Sequence, residues 1–317
     1  MKQNGGLCVL CDLCGNILMS LTLEQAIARV PMWQGARDLK TAPLGGGITN
    51  QNFRVDTASG ESFVLRIGGE NSELLGINRQ HERAANEAAA RIGLAPEVVY
   101  FIEPEGYLVT RFVHGRPLPR EEICTPENIR RVVAALKQFH ELPAIPGTFS
   151  PFRMVEDYAA TARRFGVTFP DNFDWLMVRV REIETAFLRD PFAPHPCHND
   201  LLNENFLDDG HIRIIDWEYA GMGDAAFDLA NFAVHHMLND EQDKFLLECY
   251  FGEANPRRVA RHKLMKIASD SREAMWAMVQ LGISKLDFDF RAYADKHFAR
   301  MAEMIRDPRY DRWLEDC

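Results

Sequence analysis

Four residues in a window of nineteen positions, His198, Asp200, Asn205 and Asp216, have types and spacing that suit phosphoryl transfer from a magnesium-bound nucleotide to an alcohol. That chemistry asks a protein mainly to position reactants and neutralise charge. It needs one carboxylate beside the attacking hydroxyl, and oxygen ligands that hold Mg²⁺ on the phosphates. Asp200 suits the first role, and the Asn205/Asp216 pair the second. Between the pair, Asn205-Phe-Leu, the Asp208-Asp209-Gly210 turn signal and the run His211–Asp216 read as a hairpin that returns Asp216 towards Asn205. Ile212, Ile214 and Asp216 alternate onto one face, which puts the carboxylate where the apolar stripe ends. A polar loop beside an ordinary hairpin is the competing reading, because Asp, Asn and Gly favour turns. The whole D-x(4)-N-x(10)-D pattern, preceded by His198-Asn199, is far more specific than any one of its carboxylates.

The stretch HNDLLNEN followed by IIDWEYAGMGDAAFDLAN resembles the catalytic and metal-binding segments of the choline/ethanolamine kinase family. That family belongs with the aminoglycoside-phosphotransferase-like small-molecule kinases of protein-kinase fold, and the resemblance extends from about Leu21 to Arg306. It implies an α+β, bilobal, protein-kinase-like fold with a small antiparallel-sheet N-lobe and a larger, mainly helical C-lobe. It also implies ATP and Mg²⁺ as cofactors, Asp200 as catalytic base, Asn205 and Asp216 as Mg²⁺ ligands, and His198 and Asp228 as braces for the catalytic loop. Glu218 stands where protein kinases carry the glycine of D-F-G, and D-W-E is similar to the choline kinase form.

Composition sets the bounds. A chain of 317 residues that is 46% apolar is long enough for a sizeable core and two lobes. A net charge of −10 argues against a nucleic acid or an anionic membrane as main partner, and is compatible with a cationic substrate or simply with solubility. No apolar run approaches the roughly 20 residues of a membrane helix. Seven cysteines, an odd count without a convincing signal sequence, suggest reduced thiols in the cytoplasm, and the choice between monomer and homodimer stays open. Cys8, Cys11 and Cys14 form C-x-x-C-x-x-C, yet no fourth ligand follows at a usual spacing. Residues 1–20 read as a disordered leader, since Lys2 is the whole basic head and Asp12 interrupts the apolar run.

Residues 21–113 read as the nucleotide-binding lobe. Leu21–Arg29 has helical spacing with Thr22 as cap. Gly45, Gly46 and Gly47 run into a strand and would let the backbone approach phosphate oxygens, with Thr49 and Asn50 as further donors; alone they are equally a flexible hairpin loop. No Gly-Lys-Ser/Thr follows, so this is not a Walker A motif. In Ser62–Ile67, Arg66 alternates away from Phe63, Leu65 and Ile67 into the cleft, where a bidentate cation fits phosphate. The resemblance makes Glu82 its partner, in the alanine-rich helix Asn78–Ile92, with Glu87 as rival. Val98–Ile102 and Tyr107–Val113 read as the last strands of a five-stranded sheet, with Thr110 and Phe112 in the hinge beside adenine; Gly115 and Pro117 then break the pattern.

Residues 114–317 read as the catalytic and substrate-binding lobe. Thr125-Pro126 caps a helix whose Ile129, Val132, Val133, Leu136 and Phe139 face the core. His140 is expected to be structural, and the adjacent His235 and His236 point in different directions on a helix, which argues against zinc. The W-x(3)-Q stretch at Trp276 and the tyrosine seventeen positions later, Tyr293, resemble the family's terminal helices. Trp276, Tyr293 and Tyr219 are candidate walls for an alkylammonium, against ordinary helix packing as the alternative. By the same resemblance, animal enzymes carry an acid near His235 and a second tryptophan where Glu273 stands, so ethanolamine or another primary amine rivals choline. Glu218 and Glu273 join the expected substrate set. The expectation is ATP- and Mg²⁺-dependent phosphorylation of a small amino alcohol; the alternatives are an aminoglycoside, thiamine or sugar kinase and an inert nucleotide-binding scaffold.

Overall fold

The structure is a computed structural model that describes residues 21–36, 38–45, 50–69 and 71–317. The leader with Cys8, Cys11 and Cys14, and the loop residues Gly46, Gly47 and Thr49, lie outside the described residues. Cys124, Cys197, Cys249 and Cys317 are free thiols.

Helix α1 (Leu23–Ala28) starts at Thr22, which forms a capping box with Gln25. Five antiparallel strands follow, β1 (Lys40–Leu44), β2 (Gln51–Asp56), β3 (Ser62–Ile67), β4 (Val98–Ile102) and β5 (Tyr107–Arg111), in the order β1-β2-β3-β5-β4. The glycines therefore connect two paired strands, since Lys40–Leu44, which sequence reasoning had not assigned to a strand, pairs with β2. Strand alternation sends Phe63, Leu65 and Ile67 to one face, where they pack with Ala26, Val30 and Trp33, and sends Arg66 to the other. Helix α2 (Arg79–Arg91), capped by Asn78, lies between β3 and β4 in sequence and buries Glu82. The β4–β5 turn contains Gly106 at φ +75°, where an added Cβ would lie 2.6 Å from the Cβ of Arg79, so the turn and α2 approach each other only because this residue is glycine.

The helical part follows. Strand β6 (Arg116–Pro117) leads into α3 (Arg120–Ile123), α4 (Pro126–His140), α5 (Pro151–Arg164) and α6 (Phe173–Leu188). Then come β7 (His195–Cys197), β8 (Phe206–Asp208), β9 (Ile212–Ile214), β10 (Gly221–Gly223), α7 (Ala225–His235), α8 (Asp240–Phe251), α9 (Pro256–Ile283), α10 (Phe290–Ile305) and α11 (Tyr310–Asp316). Gly115–Pro117, expected only to break the pattern, supplies β6 as an edge strand on β8, a position where proline sacrifices no ladder donor. The β8–β9 hairpin forms where expected. Its apolar residues Phe206, Ile212 and Ile214 pack with Leu136, Phe139 and Trp217 in one core, while α5, α6, α9 and α10 build a second. The 28-residue α9 runs through that second core, and its polar block Ser269–Glu273 is buried with it. Among the described residues no helix is long and apolar enough to cross a membrane.

Candidate active site

The loop after β7 carries Asp200, and α7 clamps it. Asp228 is fully buried and accepts the backbone N–H of His198 (2.9 Å) and of Asn199 (2.7 Å), while Asn231, one turn on, accepts that of Leu201 (2.6 Å). Burial works to raise the Asp228 pKa, but the hydrogen bond from His140 Nε2 (2.9 Å) and the His140 and His198 rings hold it below the usual carboxylate value. His140, Cys197 and Asp228 lie close enough for a metal, yet the carboxylate is already committed to three donors and His140 Nδ1 is shared with Tyr250 Oη at 2.7 Å. His140 is thus structural, as its sequence context implied.

His198 ties the two functional loops together. Its Nδ1 accepts the Asp200 N–H (3.2 Å) and its Nε2 donates to Ile215 O (3.1 Å), the residue before Asp216. Burial pushes its pKa down to about 4, so it performs this link as a neutral ring. Asn205 Nδ2 donates to Asp200 O at 2.8 Å, which leaves its Oδ1 for a cation. Asp216 is not the last residue of the strand face, as alternation predicted. It lies beyond β9 in the left-handed region at φ +65°, a conformation that redirects the chain at this point. Burial, then the Glu218 carboxylate, pushes its pKa well above the usual aspartate value, with Arg66 opposing. Two hard oxygen donors, one of them a carboxylate made unfavourable by its acidic neighbours, fit Mg²⁺.

The two parts of the molecule meet in one charge cluster. Arg66 is ion-paired with Glu82 and stands 3.4 Å from Asp216. Arg79 bridges Glu82 and Glu218, both at 2.9 Å. Glu87 pairs with Arg83 instead, at 2.8 Å. Asn50, expected to offer donors to phosphate, is held by Glu218 (3.0 Å) and Arg79 (3.3 Å) within this cluster. Glu218, expected on the acceptor side, belongs here too, because its carboxylate is the anion that balances Arg79. Thr110 stands opposite Val64, on the face that Arg66 occupies. The Phe112 N–H donates to Ser62 O (3.0 Å), extending the β3–β5 pairing, so that amide is not open to a base, and the Phe112 ring packs under Arg54. A 730 Å³ cavity lies at Gly45, Asn50, Phe53, Arg79, Gln280 and Lys285; Asp200 and Asp216 are not in its walls.

On the other side of Asp200, Glu273, Tyr293, His235, Tyr219 and Arg272 converge. Tyr293 Oη donates to Glu273 Oε2 at 2.9 Å, and His235 Nε2 lies 3.4 Å from Glu273 Oε1. Although burial opposes it, Arg272 and His235 hold Glu273 well below the usual glutamate value. Burial pushes the Asp200 carboxyl up to about 6, with Arg272 opposing and Glu273 reinforcing. Trp276 is packed, not presented: its ring meets Phe290 and Tyr293 edge-on at 5.8 and 5.7 Å. Of the two readings the sequence offered for these aromatics, an alkylammonium wall or ordinary helix packing, the contacts of Trp276 with Phe290 and Tyr293 are those of helix packing.

Residues 40–262 match the phosphotransferase enzyme family (APH). The chain belongs to that family. It is a small-molecule kinase with the bilobal kinase-like fold. A choline/ethanolamine kinase family protein from Mesorhizobium loti superposes with a TM-score of 0.79 at 34% identity, over 92% of this chain and 96% of that one. Protein LicA of Haemophilus influenzae is 30% identical over 240 residues, 73% of this chain and 70% of that protein. Ethanolamine kinase 2 of Rattus norvegicus is 27% identical over 83% of this chain and 75% of its own. In this kinase, sequence reasoning missed Arg79 and Arg272. Arg79 carries a faint signal, three residues ahead of Glu82 on one helix. Arg272 lies in SDSRE, a polar block interrupting apolar helix, and that interruption was its only mark.

Proposed function

We propose that this kinase transfers the γ-phosphoryl group of Mg-ATP to the hydroxyl of a small amino alcohol. The observation that supports this best is the His198 link, which fixes the Asp200 loop to the Asp216 loop through one neutral ring. Asp200 orients the acceptor hydroxyl and takes its proton at a carboxylate oxygen. Arg66, fixed by Glu82, offers positive charge to the phosphates. Asn205 Oδ1 and the Asp216 carboxylate would hold Mg²⁺, which supplies charge neutralisation on the phosphates when bound. A structural neighbour, LicA, is known in complex with AMP, in keeping with a nucleotide donor. The amino-alcohol class is suggested by relatives named as choline and ethanolamine kinases.

The test is ADP release by the purified protein with Mg-ATP and a panel of alcohols headed by ethanolamine and choline, with EDTA and acceptor-free controls. Acceptor-dependent, EDTA-sensitive release is expected; none with any alcohol would sink the proposal. On the phosphate side, Glu82→Gln removes the charge that holds Arg66 and Arg79. It is expected to raise the KM for ATP about tenfold, equivalent to ~1.4 kcal/mol, with a smaller effect on kcat. An unchanged KM for ATP would take Arg66 out of phosphate binding.

A further inference from the structure

Helix α7 clamps the backbone of the Asp200 loop, but the carboxylate itself is held from α9. Asn231, which accepts the Leu201 N–H, donates its own Nδ2–H to Ser269 Oγ at 3.1 Å, so the clamp already ends on α9. Arg272 lies three residues beyond Ser269, on the same face of that helix. Its Nη1 donates to Asp200 Oδ1 at 3.0 Å, and among the described residues it is the one hydrogen-bond donor to that carboxylate. Nη1 carries two N–H groups, and the second goes to Glu273 Oε1 at 2.5 Å.

The arginine has little freedom of its own. It is 2% exposed within the buried turn Ser269–Glu273, and its guanidinium lies over the Tyr219 ring, 4.1 Å from the centroid. Glu273 is fixed in turn by Tyr293 Oη from α10 (2.9 Å) and by His235 from α7 (3.4 Å). Supports from three elements thus converge on one guanidinium. Nε and Nη2 are buried without a hydrogen-bond partner. That arrangement costs stability, and it places the whole hydrogen-bonding capacity the arginine uses at Nη1, between the two carboxylates.

A rigid donor on one oxygen matters to an aspartate because its χ2 torsion is broad, so an unrestrained carboxylate presents either oxygen in a range of directions. With Oδ1 pinned, that rotation stops. Oδ2, which has no donor among the described residues, is left to face outwards, and the Asp200 side chain keeps 10% exposure against 2% for that of Arg272, so the open side of the pair is the aspartate's.

We infer that Arg272 is a positioning residue for the phosphoryl transfer, pinning Asp200 Oδ1 so that Oδ2 alone meets the acceptor hydroxyl and takes its proton. This rests on the kinase reading above. The acceptor oxygen forms its bond to the γ-phosphorus as the bond to ADP breaks, the proton passes to Oδ2, and Arg272 exchanges nothing in either step. Glu273, expected as a substrate contact, is instead the anchor of Arg272, and Tyr293 supports that anchor.

The experiment measures initial rates of ADP release by the wild type, R272Q, R272K, D200N and the R272Q/D200N pair, with Mg-ATP varied and with ethanolamine and choline in turn as acceptor. R272Q is expected to lower kcat ~10–100-fold, within the range that a misplacement of about 1 Å costs. Its KM for ATP should stay within about twofold of wild type, because lost positioning of the base is lost transition-state stabilisation and the nucleotide side is held by Arg66 and Arg79. R272K keeps the charge without the planar fork and should fall between R272Q and wild type. The double variant separates a positioning role from a merely structural one. An arginine that acts through the Asp200 carboxylate has no base to position once an amide stands there, so R272Q/D200N should turn over within about threefold of D200N alone. Losses that multiply in the double variant, or an R272Q kcat within about twofold of wild type, would overturn the inference and leave the kinase reading standing. Wild-type silence with both acceptors would defeat the inference together with the amino-alcohol reading. Should R272Q fail to fold by circular dichroism, R272K takes its place in the cycle under the same two criteria.

Discussion

Asp200→Asn is expected to lower kcat by about 10²–10⁴-fold, the usual contribution of a positioned general base, while thermal unfolding stays close to that of the wild type. The substitution is nearly isosteric, and an amide oxygen is still able to accept the hydrogen bond from Arg272 Nη1. Its backbone N–H remains on His198, and the carbonyl on Asn205 Nδ2, because neither contact involves the side chain. What disappears is the ability to take a proton. In the wild type, burial pushes the carboxyl up to about 6, so it is a stronger base than an ordinary aspartate and still ionised near neutrality. Initial rates at saturating acceptor and ATP, paired with circular-dichroism melts, check both halves. Turnover within a few-fold of wild type would remove Asp200 from the chemistry; a large loss of melting temperature would make its role structural.

The β8–β9 hairpin and the helix caps at Thr22 and Thr125 were accessible because each is written in a short run, and the bilobal fold and the Arg66–Glu82 pair were accessible through the family resemblance of the motifs. Less accessible was how groups remote in sequence neutralise one another. Asn50 and Glu218 are 168 positions apart, yet they hydrogen-bond directly and share Arg79 as a partner, which ties both into the charge cluster. Asp216 continues the alternation of β9 on paper, but a positive φ sends it elsewhere, and no pattern of side chains announces a backbone angle at a non-glycine residue. Trp276 has the residue type for an ammonium cage, yet whether an aromatic is packed or presented depends on neighbours such as Phe290 and Tyr293 on the next helix. Arg272 is the extreme case: its partner Asp200 lies 72 positions away, and only the polar block SDSRE marks it in the sequence.

Asp228→Ala is expected to be the most damaging single change to stability. Its carboxylate is the sole hydrogen-bond acceptor described for the N–H groups of His198 and Asn199, and it also holds His140 Nε2, all in a region with no exposed surface at the carboxylate. Alanine leaves at least two buried donors unpaired at on the order of 1–3 kcal/mol each, so a loss of roughly 3–5 kcal/mol follows, equivalent to a drop of about 10 °C in melting temperature. Asparagine is expected to be intermediate, because it keeps one acceptor oxygen but turns an N–H towards a donor. The loop that Asp228 releases is the one that carries Asp200, and Asn199 holds a left-handed backbone there at φ +66°, so activity should fall before the global transition, as the loop loosens first. Melts followed in parallel with residual turnover at 25 °C separate the two effects. A melting temperature within 2–3 °C of wild type would mean that water or a rearranged loop satisfies those donors, and that Asn231, through Leu201 and Ser269, holds the catalytic loop on its own.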